Sequence, residues 1–175
     1  GALPQNNRAD RKNPTRRILR AAETYDRPNW RYIVTNGQEG IRPEGLPSRF
    51  APYAGHLVSR SGWDQEALWS FFDAGPAGAG WVHADALHLS VTAFGKDFLI
   101  DSGRFWYMRD KWTSFAHSSR SHNVIVIDGC DQVPEPKKVE EPLPEEHWGI
   151  TQTFDYARAT HDGFDGLEGE AAHTR

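Results

Sequence analysis

Histidine and aspartate side chains stand at the borders of several predicted strands, where they could bind a metal ion. His83 and Asp85 precede a strand that begins near residue 87, Asp101 follows the next strand, and His122 precedes an apolar run. Two imidazoles and a carboxylate are a common ligand set for zinc, which takes nitrogen and oxygen donors in tetrahedral geometry. A second interpretation is that Asp101 and His122 only hydrogen-bond turns at strand ends, while His83 lies in a loop.

The spacing of these residues sets a condition on the fold. A two-residue turn at 95–96 places Asp101 opposite about Ser90, and His83 is then seven residues further along, roughly 23 Å away in an extended chain. The two side chains can meet only if the chain bends near Asp85. Spacing without such a bend favours the second interpretation.

Alternating apolar and polar residues predict a mainly β fold. Residues 87–94 alternate with a period of two, so Leu87 and Leu89 are predicted to face a core and His88 to face solvent. Many short strands joined by turns favour an antiparallel β-sandwich, here a partial one, because few strands are available to close it. The other predicted strands cover residues 56–61, 67–73, 97–100, 123–127 and 148–156.

Two short helices are predicted before these strands. Pro14, after the candidate N-cap Asn13, begins the first, and Pro28 opens a second that ends before Asn36. Both have an apolar face without a visible partner, which predicts further helices upstream. Residues 40–52 are rich in proline and glycine and are predicted to form a linker.

Composition and charge argue against several classes of protein. The net charge of −4 comes without a basic stripe, which disfavours nucleic acid as a partner. No apolar run approaches the roughly 18–20 residues that span a membrane. The single cysteine, Cys130, excludes an internal disulfide and a cysteine-based zinc site. No signal peptide is visible, which leaves the compartment open.

Several segments, read in order, resemble the heparinase II/III-like family of polysaccharide lyases. The resemblance covers nearly the whole chain, and it depends on the order of the motifs rather than on any single one. The helices near residues 15–25 and 28–34 are similar to the end of the family's helical toroid. The segments similar to its β-sandwich are Pro52-Tyr53-Ala54-Gly55-His56, Gly80-Trp81-Val82-His83-Ala84-Asp85, Leu99-Ile100-Asp101-Ser102-Gly103, Ser121-His122-Asn123 and Ile127-Asp128-Gly129.

The resemblance implies an (α/α) toroid followed by an antiparallel β-sandwich. Residues 1–50 would be the end of the toroid and a linker, and residues 51–175 the N-terminal part of the sandwich. The implied reaction is β-elimination on a uronate-containing polysaccharide such as a glycosaminoglycan or alginate. The implied partners are this acidic polysaccharide and the toroid of the same protein, and the implied location is periplasmic or secreted.

The resemblance also implies site residues. A structural zinc ion would be held by His83, Asp101 and His122. Much of the family's chemistry comes from Asn, His and Tyr side chains of the toroid cleft, which this chain lacks, so the isolated chain is expected to be inactive.

One position departs from the family pattern. The family's loop commonly reads His-x-His-x-Asp, with the first histidine as a catalytic group, and here that position is Trp81. Tryptophan exchanges no proton but can stack on a sugar ring, so Trp81 is a candidate substrate-binding residue. His83 is then an alternative base, provided that no metal holds it. His88 and His117 are two further candidates, with exposed polar residues as the other interpretation. Arg120 could bind a substrate carboxylate through its planar guanidinium, with a surface salt bridge as the alternative.

The departure at Trp81 keeps a second hypothesis open, a non-catalytic carbohydrate-binding or structural β-sandwich module. A zinc hydrolase shares the ligand set but is disfavoured, because the chain has no His-Glu-x-x-His arrangement. Packing in the core or loops is favoured over a sugar-binding platform for the aromatic residues Trp106, Tyr107, Trp112 and Phe115.

Overall fold

The structure is a computed structural model. It describes residues 14–78, 80, 82–103, 110–135, 139–164 and 166–175. The helices are α1 (Pro14–Thr24), α2 (Pro28–Val34) and α3 (Lys111–His117), with 3-10 turns at Ser119–Ser121 and Glu145–His147. The strands are β1 (Arg49–Ala51), β2 (His56–Arg60), β3 (Trp69–Asp73), β4 (Leu89–Ala93), β5 (Lys96–Leu99), β6 (Trp148–Ile150), β7 (Asp155–Ala157), β8 (Thr160–His161) and β9 (His173–Thr174). The sequence predictions for Asn13, Trp81, Trp106 and Tyr107 lie outside the described residues.

Five strands form one antiparallel sheet in which each strand pairs with its neighbour in the chain, in the order β1-β2-β3-β4-β5. The longest ladder joins β2 to β3 and runs from His56 opposite Asp73 to Arg60 opposite Trp69. Strands β6 and β7 form a separate antiparallel hairpin, and β8 pairs with β9. Residues 148–156, predicted as one strand, therefore turn back on themselves, because Thr151 accepts and donates hydrogen bonds across the turn to Phe154.

The hydrophobic core lies on one face of the five-stranded sheet. Its buried members are Leu57, Phe72, Ala74 and Leu87. Partly buried residues from later segments cover it from the other side, among them Leu143, Ile150, Ala157 and Ala159. A β-sheet with one apolar face needs such a second layer.

Two contacts attach the β6–β7 hairpin to the sheet. The rings of Phe50 and Trp148 stack with their centroids 4.5 Å apart. The Asp155 carboxylate accepts hydrogen bonds from the hydroxyls of Ser48, at 2.5 Å, and of Ser59. The predicted fold class, a mainly β partial sandwich preceded by short helices, is confirmed.

The turn between β4 and β5 lies one residue earlier than predicted. Phe94 and Gly95 occupy it, with φ angles of 52° and 68°, and Ala93 pairs with Lys96. Two successive positive φ values belong to a type I′ turn, whose twist matches that of the flanking strands. The register then shifts between Val91 and Thr92, so β5 carries a bulge.

The two N-terminal helices form at the predicted positions and pack against each other. Ala22 is the buried residue of α1, and Tyr25 meets Trp30 edge to face with centroids 6.4 Å apart. Tyr25 itself is 67% exposed. Among the described residues, the helices are too short or too polar to cross a membrane.

The strand predicted at residues 123–127 is wrong. The segment forms only an isolated bridge between Ile127 and Cys130, because Asp128 and Gly129 reverse the chain with φ angles of 49° and 78°. Asn123 meanwhile directs its backbone N–H and its side-chain amide to other segments. The apolar composition was typical of a strand, but the segment's hydrogen bonds are made elsewhere.

Candidate metal centre

A tight turn before β4 supplies the bend that the candidate metal site requires. The His88 N–H donates to the Asp85 carbonyl over 3.0 Å, and Leu87 adopts φ 66° between them. This left-handed conformation is unfavourable for leucine, yet Leu87 is only 2% exposed and belongs to the core cluster. The turn brings residues 83–85 back towards the end of β5, so they do not continue the line of β4.

Helix α3 and the turn after it hold this histidine loop, residues 82–88, in place. The Asp110 carboxylate caps α3 by accepting from the N–H groups of its first turn. The Ala84 N–H donates to the His117 carbonyl over 2.9 Å, and the Ser119 hydroxyl donates to the Ala84 carbonyl over 2.8 Å. Ser119 is 1% exposed, so this anchor is buried. The Gln132 amide adds a hydrogen bond to the Ala86 carbonyl.

Asp101 and His122 are in direct contact. The Asp101 Oδ2 atom lies 2.9 Å from His122 Nδ1 and 3.4 Å from His88 Nε2. The other carboxylate oxygen accepts from the Gly103 N–H over 2.5 Å. The His122 side chain is 1% exposed, so the Asp101 carboxylate contacts a buried imidazole ring.

His83 also lies near His122. Its ring stacks on His117 with centroids 4.2 Å apart and lies 5.3 Å from the His122 ring. The ligand atoms of His83, Asp85 and His122 lie within 4.8 Å of one another, and so do those of His88, Asp101 and His122. His122 therefore belongs to both groups, but among the described residues neither group contains both His83 and Asp101, so each of these two predicted ligands lies beside His122 without the other.

The charges within the cluster are distributed unevenly. Burial favours the neutral forms of both His122 and Asp101, but the hydrogen bond between them prevails, so the pKa of His122 is raised and the pKa of Asp101 is lowered. Burial and the neighbouring His117 ring lower the pKa of His83, against the opposing charge of Asp85. His83 is thus the more readily neutral imidazole, the form in which histidine binds a metal.

The donor set fits zinc. Nε2 of His122 is buried and makes no hydrogen bond to the part of the chain that the structure describes. A buried ring nitrogen without a partner is unfavourable, and a metal ion is one partner that would satisfy it. Imidazole nitrogen and carboxylate oxygen are donors that zinc accepts.

The structure describes only one of the two predicted substrate-binding residues. Trp81 lies outside the described residues. Arg120 donates through Nη2 to the Gly129 carbonyl over 2.5 Å, and its Nε lies 3.9 Å from the Asp131 carboxylate. Its side chain is 55% exposed, so the guanidinium engages its own loop and also remains accessible.

The aromatic residues of α3 lie outside the core. Trp112 is 53% exposed and Phe115 is 46% exposed, so neither belongs to the core. The Lys111 ammonium lies 5.2 Å from the centroid of the Trp112 ring.

Sequence reasoning missed three residues that shape the site. The period-two pattern placed His88 on a solvent face, but His88 is 4% exposed, because it precedes β4 and lies in the turn. Asn123 joins the histidine loop to β5, and the only signal for this was its position directly after His122. Arg175 reaches the Leu87 carbonyl from 88 residues away, and no local pattern predicts such a contact.

An open cavity of about 620 Å³ adjoins the cluster. Its lining includes His83 and Leu87 from the histidine loop and Leu143, Arg158 and His161 from later segments. The cavity therefore reaches from the histidine loop to the second layer of the fold.

A family model described as heparinase II/III-like, C-terminal, matches residues 43–175. A heparin-sulfate lyase from Pedobacter heparinus is 29% identical over 107 residues, which are 59% of this chain and 16% of that protein. The solved heparan sulfate lyase HepC from Pedobacter heparinus has a TM-score of 0.69 at 20% identity, over 91% of this chain and 24% of that one. A solved heparinase III has a TM-score of 0.61 at 15% identity, over 96% and 27% of the two chains.

These relatives are much longer than this chain, which spans 16% to 27% of their lengths. Their structural similarity shows a common fold, the partial antiparallel sandwich with its preceding helices. The match of the family model extends over most of the chain and includes the whole histidine cluster. The chain therefore belongs to the heparinase II/III-like C-terminal family.

Proposed function

We propose that this chain is the sandwich-side part of a polysaccharide lyase that cleaves a uronate-containing polysaccharide by β-elimination. The observation that carries the proposal is membership of the heparinase II/III-like C-terminal family, together with a relative named heparin-sulfate lyase. The residue boundaries, 1–50 for the end of the toroid and linker and 51–175 for the sandwich, belong to the same proposal. So does a periplasmic or secreted location, because a large acidic polysaccharide must be reached outside the cytoplasm.

The reaction sets requirements that this chain meets only in part. The proton to be removed lies next to a carboxylate and is weakly acidic, so the enzyme must neutralise that carboxylate, place a base and protonate the departing oxygen. Within the described residues, His122 and His88 of the histidine cluster are both buried, which suits a structural role better than contact with substrate. The remaining groups would come from the toroid of the longer protein, so the isolated chain is expected to form no product.

We further propose that the cluster holds a structural zinc ion through His83, Asp101 and His122. Asp85 is a fourth donor, since its carboxylate lies within 4.8 Å of the ligand atoms of His83 and His122. His83 and Asp101 belong to different groups of candidate donors, so one zinc ion would bind all four residues only after their side chains move closer together. Such an ion would fix the histidine loop relative to β5 and the α3 segment.

Zinc analysis by mass spectrometry on the purified chain tests this part of the proposal. About one zinc per chain is expected, lost in His83→Ala and in His122→Ala. His147→Ala is the matched control, because this histidine lies outside the cluster in a 3-10 turn. A folded wild-type chain that binds no zinc would contradict the site.

A non-catalytic carbohydrate-binding module is the second candidate function. Tryptophan in place of the family's first loop histidine favours it, because an indole stacks on sugar and exchanges no proton. Trp112 and Phe115 on α3 are about half exposed and add apolar surface of the kind that sugar rings contact. Arg120 would then contribute a charge to the binding of an acidic polymer.

The longer protein that contains this chain distinguishes the two functions. Lyase turnover forms an unsaturated uronate that absorbs in the ultraviolet, so a panel of glycosaminoglycans and alginate would be followed by absorbance. Product formation supports the lyase, and binding without product supports the module. In Trp81→His, a gain of activity would identify a decayed lyase, whereas a large loss would give the tryptophan its own role. Lys96→Ala on the exposed β5 edge is the control.

A further inference from the structure

The cavity of about 620 Å³ beside the histidine loop is lined by segments that are distant in sequence. Its lining includes Ala86 and Leu87 of the histidine loop, Gln132, and residues 158–163. The volume lies within the range of roughly 300–1,000 Å³ that is usual for small-molecule sites. The cavity is therefore large enough to hold a sugar residue.

Gln132 connects the segments that form this lining. Its Nε2 donates to the Ala86 carbonyl over 3.0 Å, and the residue forms an isolated β-bridge with Phe164. The N–H of the neighbouring Val133 donates to the Gly163 carbonyl over 3.1 Å. The lining is thus held by hydrogen bonds within the chain, so the cavity needs no ligand in order to form.

Gln132 also has an acceptor without a donor. The residue is 3% exposed, and its Oε1 is buried without a hydrogen bond to the part of the chain that the structure describes. A buried amide oxygen that accepts no hydrogen bond is unfavourable. Because Gln132 lines the cavity, a hydroxyl group of a bound ligand is one donor that would satisfy this oxygen.

Arg158 brings to the cavity a positive charge that the fold leaves unpaired. Its backbone N–H donates to the His147 carbonyl over 2.8 Å, which fixes the position of the residue. Arg158 is exposed and lines the cavity, and its guanidinium makes no hydrogen bond or ion pair with the described residues. A planar guanidinium with free N–H groups can bind a carboxylate through two parallel hydrogen bonds.

Two carboxylates, those of Glu135 and Asp162, belong to the same lining. A ligand that offers only anionic groups would be repelled by them. Carboxylates accept hydrogen bonds from hydroxyl groups, and a sugar ring carries several of these. One guanidinium and two carboxylates therefore match a ring that has one carboxyl group and several hydroxyl groups, which is the chemistry of a uronate.

We propose that this cavity is a subsite for one uronate residue of the polysaccharide, with Arg158 on the sugar carboxylate and Glu135 and Asp162 on its hydroxyl groups. The choice of a uronate polymer rests on the proposed function, whereas the position of the subsite rests on the lining of the cavity. His83 belongs to that lining as well, so a sugar in the subsite lies beside the histidine loop. Arg158 is a substrate-binding residue in addition to the candidate Arg120.

NMR titration of the ¹⁵N-labelled chain with two matched sugars tests the subsite. One is an unsulfated tetrasaccharide of alternating glucuronate and N-acetylglucosamine, and the other is the same tetrasaccharide with its carboxyl groups reduced to alcohols. Shift changes with the first sugar are expected at the amides of Gln132 and residues 158–163, and not in the β4–β5 hairpin. Binding that shifts only amides outside the cavity lining, or no binding at all, would overturn the proposal.

A cycle of one variant and one ligand change links Arg158 to the carboxylate. Arg158→Gln is expected to weaken binding of the glucuronate tetrasaccharide roughly tenfold, as for the loss of a hydrogen bond between charged groups. Carboxyl reduction should weaken binding to the wild-type chain by a similar factor and have little further effect in Arg158→Gln. Arg42→Gln is the control, because this exposed arginine lies outside the cavity lining.

Equal loss on carboxyl reduction in the wild type and in Arg158→Gln would overturn the assignment of Arg158. Circular dichroism checks that the variants fold, and Arg158→Lys, which keeps the charge but not the planar group, replaces the glutamine variant if that one does not fold. The lyase is tested separately by product formation in the longer protein. Binding in the cavity without product there would remove the lyase and keep the subsite, whereas product without binding in the cavity would do the reverse.

Discussion

Two tight turns place a large apolar residue in the left-handed region of the backbone, but different forces support them. Phe94, with φ 52°, and Gly95 close the β4–β5 hairpin. Leu87, with φ 66°, lies in the turn before β4. Phe94 is 73% exposed and Leu87 is 2% exposed. One turn therefore lies in solvent, and the other lies in the core beside the histidine cluster.

The comparison shows that one turn is stabilised by local interactions and the other by tertiary packing. The hairpin turn is supported by the strands on either side and by the glycine that follows Phe94. The turn at Leu87 has no glycine, and a left-handed residue with a side chain costs about 1–2 kcal/mol. Burying a leucine side chain contributes about 1.5–3 kcal/mol, which is enough to offset that cost. The histidine loop is thus held by the core.

Truncating each apolar side chain should produce the largest contrast between the two turns. Leu87→Ala is expected to lower the free energy of unfolding by about 2–5 kcal/mol, because it leaves a cavity against Leu57 and Phe72. Phe94→Ala should change it by less than about 0.5 kcal/mol, since the ring is exposed. Urea denaturation measures both. Equal losses would show that the hairpin turn also depends on burial.

A partly buried carboxyl beside the histidine loop should give an effect that depends on pH. Burial raises the pKa of Asp73 to about 7, although the Gly75 N–H opposes the shift. The stability that protonated Asp73 contributes is present below its ordinary pKa of 3.8 and is lost as the pH rises through about 7. Asp73→Asn should therefore stabilise the protein by on the order of 2 kcal/mol near pH ~8 and much less near pH ~4.

Unfolding curves of wild type and Asp73→Asn across this pH range measure the difference. His56 lies 3.7 Å from Asp73, and burial lowers the pKa of His56, so it supplies little charge at neutral pH. Asp97→Asn on the exposed β5 strand is the control, with a small effect throughout. A stabilisation by Asp73→Asn that is independent of pH would contradict the conclusion that burial raises the pKa of Asp73.

Removing the Arg175 side chain, which binds the histidine loop from a distant part of the chain, should have an intermediate effect on the free energy of unfolding. Arg175 donates to the Leu87 and Asn123 carbonyls over 2.8 and 2.9 Å. Arg175→Gln is expected to lower the free energy of unfolding by about 1.5–3 kcal/mol, the range for hydrogen bonds made by charged groups. Arg31→Gln breaks only an exposed pair with Glu39 and should cost less than about 1 kcal/mol.

Amide hydrogen exchange locates the effect of Arg175→Gln. Faster exchange is expected at the His88 and Asn123 N–H groups, and unchanged exchange in the β4–β5 hairpin. Equal acceleration in both regions would mean that the arginine stabilises the whole fold and has no particular role at the loop.

The same substitution should have opposite signs in the two turns, with the smallest effect at Phe94. Asparagine tolerates the left-handed conformation and suits the position before glycine in a type I′ turn. Phe94→Asn should therefore raise the free energy of unfolding by about 0.5 kcal/mol, whereas Leu87→Asn should lower it. Thermal denaturation measures both, and a stabilising Leu87→Asn would show that backbone strain outweighs burial there.

Most of the secondary structure could be predicted from the sequence, because it follows local patterns. Proline at the first helical position marked both α1 and α2. Period-two alternation predicted β4, and the Phe94-Gly95 turn was missed by one residue. The segment at 123–127 misled because its apolar side chains resemble those of a strand, while the hydrogen bonds of Asn123 go elsewhere.

The candidate site was predictable by residue type and not by geometry. His83, Asp101 and His122 are unlike their neighbours, and the family resemblance assigned them to zinc. His83 and Asp101 can approach each other only if the chain bends near Asp85. The spacing of the residues requires this bend but does not predict it. The positions of Asp85 and His88 beside His122 are given only by the distances in the folded chain.

By itself, the sequence determined the class of the fold, the order of its elements and the chemical types available for a metal site, because periodicity, capping and side-chain chemistry are local properties. Only the tertiary structure decided that the histidine loop turns back through a buried, left-handed Leu87. It also brought Asn123 and Arg175 onto that loop from 35 and 88 residues away. Such contacts depend on how the layers pack, and packing arises from the whole chain at once.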